Sequence, residues 1–123
     1  MQALNSDTAA NNTGLGEFAL YSTTTGTNSG LGYSAGYYIS TGTANTAIGA
    51  DAAVNLTTGG GVTAIGTNAM VGAAAAPLTG QDDTAVGYQA RLSFLGTANA
   101  NTAIGMDALA YATTAGTSTA VGA

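Results

Sequence analysis

The chain has 123 residues, one basic side chain (Arg91) against six acids, a formal net charge of −5, and neither Cys nor His. That inventory excludes disulfides, thiol and zinc chemistry and imidazole catalysis, and it leaves no basic footprint for nucleic acid or an anionic membrane surface. Nineteen Gly, abundant Thr and Ala and a single Pro (Pro77) point to tight turns and a thin buried layer, not to long helices around a globular core.

No apolar run approaches a membrane span, and Met1-Gln2-Ala3-Leu4-Asn5 lacks the basic and apolar regions of an export leader. Either the mature protein is represented, or export falls to another part of a longer chain or to another route.

One motif returns along the whole chain, in its clearest form Asn45-Thr46-Ala47-Ile48-Gly49-Ala50-Asp51-Ala52. Its copies occupy 12–19, 28–35, 45–52, 62–69, 83–90, 101–108 and, truncated, 118–123. The Gly that follows Ile, Leu or Val serves as a ruler: Gly16, Gly32, Gly49, Gly66, Gly87, Gly105 and Gly122, at spacings of 16, 17, 17, 21, 18 and 17 residues. Residues 1–123 are therefore one array with a repeat near 17 residues and a loop insertion at about 72–82 around Pro77. A fixed period of this kind marks a stacked repeat architecture.

The first segment of each repeat alternates, so that Thr46 and Ile48 share one face and Ala47 takes the other. A second Gly falls mid-repeat, at Gly26, Gly42, Gly59, Gly80, Gly96 and Gly116. Between the two lie Leu20-Tyr21-Ser22-Thr23-Thr24 and its counterparts Tyr37–Thr41, Ala53–Thr57 and Arg91–Leu95, whose β-branched and aromatic content predicts a second strand. Gly recurs too often for a helix to propagate. Two strands and two corners make one coil of an all-β, parallel β-solenoid of about seven coils, a rod of about 34 Å at the inter-strand spacing. The corners call for positive φ, which Gly adopts cheaply. Ala at the third place after each ruler Gly lets coils lie close, and Asn12, Asn28, Asn45 and Asn101 are placed to form an amide ladder.

These Asn-Thr-Ala-Ile-Gly-x-x-Ala copies resemble the YadA-like head repeats of trimeric autotransporter adhesins, and similar arrays occur in phage tail fibres and related surface fibre proteins. The resemblance covers essentially the whole chain. It implies a left-handed parallel β-roll in a homotrimer, with the first strands lining the trimer axis. The adhesin repeat is usually shorter, so larger coils or longer outer corners are expected, and a stalk, anchor or C-terminal chaperone is not expected within residues 1–123. Sequence lends the trimer separate support: both faces of the first strand are apolar or small, one fills the coil, and the other needs a partner chain or the chain's own second strand as cover.

The ruler also continues across the ends, since Gly122 of one copy and Gly16 of a following copy would stand 17 residues apart. Either the register is inherited from a longer array, or subunits stack head to tail into a filament.

Enzyme chemistry has little to stand on. Ser and Thr have no His or Lys base. Asp51 and Asp107 occupy the same place in distant coils, and Asp82-Asp83 reads as a solvated loop pair. A calcium corner is not supported, because Gly59-Gly60-Gly61 leads into Val62 where an Asp pattern is required. Catalytic, cofactor-binding and metal residues are accordingly expected to be none. Among the six Tyr, Tyr33 and Tyr88 follow their ruler Gly directly and are the candidate surface contacts. The expected role is a non-enzymatic structural subunit of an extracellular fibre, at a bacterial cell surface or on a virion tail, partnered by its own copies. The alternative is an adhesin head or tail-fibre segment that binds a host matrix protein or surface glycan.

Overall fold

The computed structural model describes residues 2–7, 11–73, 78–91, 99–111 and 117–123. Each repeat contributes one three-residue strand: β1 (Thr13–Leu15), β2 (Ser29–Leu31), β3 (Thr46–Ile48), β4 (Thr63–Ile65), β5 (Thr84–Val86), β6 (Thr102–Ile104) and β7 (Thr119–Val121). They form one parallel sheet in chain order. The register never slips, with Thr46 opposite Thr63 and Ile48 opposite Ile65, and so on along the stack. The protein is a β-solenoid, and no helix occurs among the described residues.

Alternation sends the middle residue of each strand inward. Ala47, Ala64, Ala85 and Ala103 are fully buried, and they pack with Leu20, Ile39, Leu56, Val62, Met70 and Leu78 into one narrow core. In β2 the inward residue is Gly30, because a Cβ there would lie 2.8 Å from Leu20 Cγ. The third-place alanines, among them Ala19, Ala35, Ala52 and Ala69, are fully buried as expected.

The ruler glycines behave as their position requires. All seven have φ between 124° and 135°. They also stack directly on one another: a Cβ on Gly49 would come within 2.6 Å of the carbonyl carbon and oxygen of Gly66. The mid-repeat glycines follow a different rule. Gly26 has positive φ, whereas Gly42 and Gly59 do not. What Gly42 and Gly59 supply is room, since a Cβ on either would collide with the carbonyl oxygen of the next in the row, Gly59 or Gly80. Gly96 and Gly116 lie outside the described residues.

Among the described residues the second strand does not form. Leu20–Thr24, Tyr37–Thr41 and Ala53–Thr57 run as turns and bends, with one isolated parallel bridge between Leu56 and Leu78; residues 92–95 of the fourth counterpart lie outside the described residues. The reason is a row of left-handed residues that composition does not reveal. Two places after the ruler, Phe18, Ser34, Asp51, Asn68, Gln89 and Asp107 have φ between 52° and 60°. Four places after it, Leu20, Ala53, Met70, Arg91 and Leu109 lie between 51° and 55°. Left-handed backbone costs a non-glycine residue about 1–2 kcal/mol. Here it aims amides along the stack in alternate directions: Asp51 N–H donates back to Tyr33 O (2.9 Å), and Ala53 N–H donates forward to Ala69 O (2.9 Å). The coils that begin at Gly32, Gly49, Gly66 and Gly87 are thereby bonded to both neighbours, with no second sheet among the described residues.

The long repeat keeps this register through Gly72, whose carbonyl accepts from Asn55 Nδ2, and resumes it at Leu78, whose N–H donates to Asn55 O. The surplus falls between them, at 74–77, outside the described residues.

Candidate functional site

Three features stand out on this scaffold, and the first is the outer face of the sheet. The strands turn Leu15, Leu31, Ile48, Ile65, Val86, Ile104 and Val121 outward in one straight row, beside a second row of Thr13, Ser29, Thr46, Thr63, Thr84, Thr102 and Thr119. The chain does not cover this face itself: Leu31 is 46 % exposed and Ile104 40 %. The second segments of the repeats, where described, therefore do not provide the cover that the sequence left open to a second strand. Over the first three strands the face holds an apolar cavity of about 260 Å³ lined by Thr13, Leu15, Ser29, Gly30, Leu31 and Ile48.

The second feature is the amide ladder, one residue before each strand. Asn45 Nδ2 donates to Asn28 Oδ1 (3.0 Å) and to Gly59 O (2.9 Å), and Asn28 Nδ2 donates to Asn12 Oδ1 (3.2 Å) and Gly42 O (2.9 Å). Val62 interrupts the side-chain series, though its N–H still donates to Asn45 Oδ1 (3.0 Å). The ladder then continues through Asp83, whose Oδ1 accepts from both Asn101 Nδ2 (3.0 Å) and Asn101 N–H (2.8 Å).

Asp83 is thus not part of a solvated pair. It is fully buried, while Asp82 next to it is exposed with φ of 55°. Burial of a carboxylate demands a partner, and Arg91 Nη1 lies 2.8 Å from Asp83 Oδ2, itself buried. Arg91 stands four places after its ruler Gly, the slot that Leu20 and Met70 fill in other coils. Burial pulls its guanidinium below the ordinary value, and the Asp83 charge and hydrogen bond act against that pull. Asp51 and Asp107 are explained by backbone, since Asp and Asn tolerate the left-handed turn better than most residues.

The third feature is aromatic. Phe18 meets Tyr21 edge-on at 5.7 Å and Tyr33 at 5.9 Å, Tyr21 and Tyr37 stack at 5.0 Å and 16°, and Tyr37 meets Tyr38 at 4.5 Å. Tyr33 is 53 % exposed and Tyr38 49 %. Tyr88 is equally exposed at the corner equivalent to Tyr33, but it has no ring neighbour among the described residues, and Ala50 and Thr67 occupy that corner in the coils between. The two candidate contacts therefore share a row and not a site. The cluster was missed in the sequence because its members are scattered over 21 positions of chain; the 16-residue spacing of Tyr21 and Tyr37 was the available signal.

Among the described residues no group of three or more His, Cys, Asp or Glu side chains could hold a metal ion, and no helix is long and apolar enough to cross a membrane. In comparisons with known proteins, no family model, no curated protein and no solved structure matches the chain.

Proposed function

We propose that this chain is a structural, non-enzymatic segment of an extracellular fibre, in which three copies pack their Thr/Ile faces around a common axis. The observation that supports this reading is the row from Leu15 to Val121. A continuous, in-register apolar stripe along a rod, left uncovered by its own chain, is the kind of surface that marks an interface. A stripe that is straight and repeats at the strand spacing suits a parallel copy of itself, whose row has the same period. The three-fold arrangement follows the resemblance of the Asn-Thr-Ala-Ile-Gly repeats to adhesin heads, as does display at a bacterial surface or a virion tail. Mechanically, the ladders and stacked glycines make a stiff rod, and the absence of Cys, His and Lys leaves few side chains for covalent chemistry.

Mass per length by electron microscopy, with sedimentation in solution, tests the assembly. Three chains per rise of about 4.8 Å is the expected result. Replacing Ile48 and Ile65 together with Asp should return single-chain particles of unchanged fold. Single-chain particles from the unaltered protein would sink the proposal.

A second reading, an adhesin head or tail-fibre segment that recognises a surface partner, is favoured by the aromatic cluster around Tyr37.

A further inference from the structure

We propose that the cluster of Phe18, Tyr21, Tyr33, Tyr37 and Tyr38 is a binding site for a neutral saccharide, with Tyr33 and Tyr38 as the contact rings and the other three as their base. The inference rests on the second reading above and gives it a ligand class and a location.

The first support is distribution. In a stacked repeat, equivalent positions need similar residues, because each coil sees the same neighbours. Five of the eight aromatic residues of the chain nonetheless gather in two adjacent coils. The coils that follow carry Val54 and Val71 in the place of Tyr37, and Asn55 and Gly72 in that of Tyr38. The fold works without aromatic rings at these places. Large rings held half in solvent also contribute little to a core.

The second support is the chemistry of the surface. Arg91, the only basic residue, is buried, and Glu17 lies exposed beside Phe18, so sulfated or sialylated glycans and other anions meet no countercharge. A quaternary ammonium group needs several ring faces converging on one point, and here Tyr21 and Tyr37 spend their faces on each other. A polyproline segment docks between aromatic ridges that stand apart, whereas these rings touch at centroid distances of 4.5 to 6.1 Å. A pyranose asks for less: one electron-rich face for its slightly positive C–H groups, and phenol and carboxylate oxygens at the edge for its hydroxyls. Tyr33, Tyr38 and Glu17 supply those groups. Ring-on-ring packing holds the platform still, which lowers the entropy cost of binding.

The test uses the whole chain and a panel of neutral hexasaccharides built from glucose, mannose, galactose and N-acetylglucosamine, with a heparin hexasaccharide and a polyproline peptide alongside. Binding is read by saturation-transfer NMR and tyrosine fluorescence. At least one neutral sugar should bind with micromolar to millimolar affinity, and Tyr33→Ala and Tyr38→Ala should each weaken it about tenfold. Tyr88→Ala should leave it unchanged, and circular dichroism identical to the parent chain controls for folding. The proposal is overturned if no neutral sugar binds at millimolar concentration, if heparin or polyproline binds in its place, or if the Tyr33 and Tyr38 variants bind as the parent does. Sedimentation of the same samples separates the two readings: fibres that ignore every sugar sink the site alone, and sugar binding by single-chain particles sinks the assembly alone.

Discussion

Arg91 reaches across its own coil to Asp83, Nη1 to Oδ2 at 2.8 Å, with both side chains closed to solvent. The pair joins two rows that are elsewhere uncharged, the Asn ladder and the apolar slot of Leu20 and Met70. Breaking a buried pair from one side leaves a charge without its partner and typically costs about 3–5 kcal/mol, while exchanging both members for well-packed neutral residues is often neutral or stabilising. Arg91→Met should therefore lower stability by about 3–5 kcal/mol, because Asp83 remains buried and charged. Adding Asp83→Asn, which restores an ordinary rung beneath Asn101, should recover the loss or exceed it. Urea unfolding of the two single variants and the double variant measures this, and a double variant no better than Arg91→Met would refute it.

The ruler glycines make a second, sharper prediction. Gly49→Ala adds a Cβ to a backbone at φ 125° and drives it against the Gly66 carbonyl, where only backbone can yield. A loss of about 4 kcal/mol or failure to fold is expected. Gly122→Ala has the same φ strain but meets nothing within 4 Å, and should cost only that torsional strain, about 1–3 kcal/mol. Thermal denaturation of the pair isolates the stacking collision from the torsional strain.

Much of this was legible because a repeat states each rule seven times. Thr46, Ala47 and Ile48 announced a strand and its two faces, Gly49 announced the corner, and Asn28 and Asn45 announced the ladder. The misreadings share one cause, local reading of a residue whose meaning lies in register. Asp83 next to Asp82 looks like a loop, yet it precedes Thr84 as Asn45 precedes Thr46. Arg91 reads as the first residue of a second strand, yet it follows Gly87 as the core residue Met70 follows Gly66. The missing second strand is a different case. Tyr37, Tyr38 and Ile39 have strand propensity, and a left-handed backbone overrides it; the polar series Asp51, Asn68 and Asp107 was the trace that this backbone left in the sequence.

The aromatic cluster links stability to alkaline pH. Burial first, and then charge on Tyr21, Tyr38 and Tyr33, raise the Tyr37 phenol above its ordinary 10.0. The folded chain then holds this proton more tightly than the unfolded chain does. Its contribution to stability is complete below pH 10.0 and is lost as pH rises through the raised value. The urea midpoint of the parent chain should fall above pH 10.0, and Tyr37→Phe, which cannot ionise, should fall less steeply over the same window. Parallel slopes for the two chains would show that Tyr37 carries none of the effect.

Arg91 is also the sole residue after which trypsin can cut, and the protease must draw that side chain into its own pocket. In the folded chain the guanidinium is instead held inside the coil against Asp83. Cleavage thus requires the coil to open, and when opening and closing are fast its rate follows the open population. The native chain should resist trypsin, and urea should raise the cutting rate in step with the spectroscopic unfolding curve. The products should be two fragments, 1–91 and 92–123, and Arg91→Met should not be cut under any condition. The Asp83→Asn variant offers the sharper comparison: with the carboxylate gone but the arginine retained, cutting in dilute buffer should speed up by the factor that its loss of stability dictates, about tenfold for each 1.4 kcal/mol. Rapid cleavage of the unaltered chain in dilute buffer would mean that Arg91 reaches solvent without unfolding, and the buried pair would then have to be abandoned.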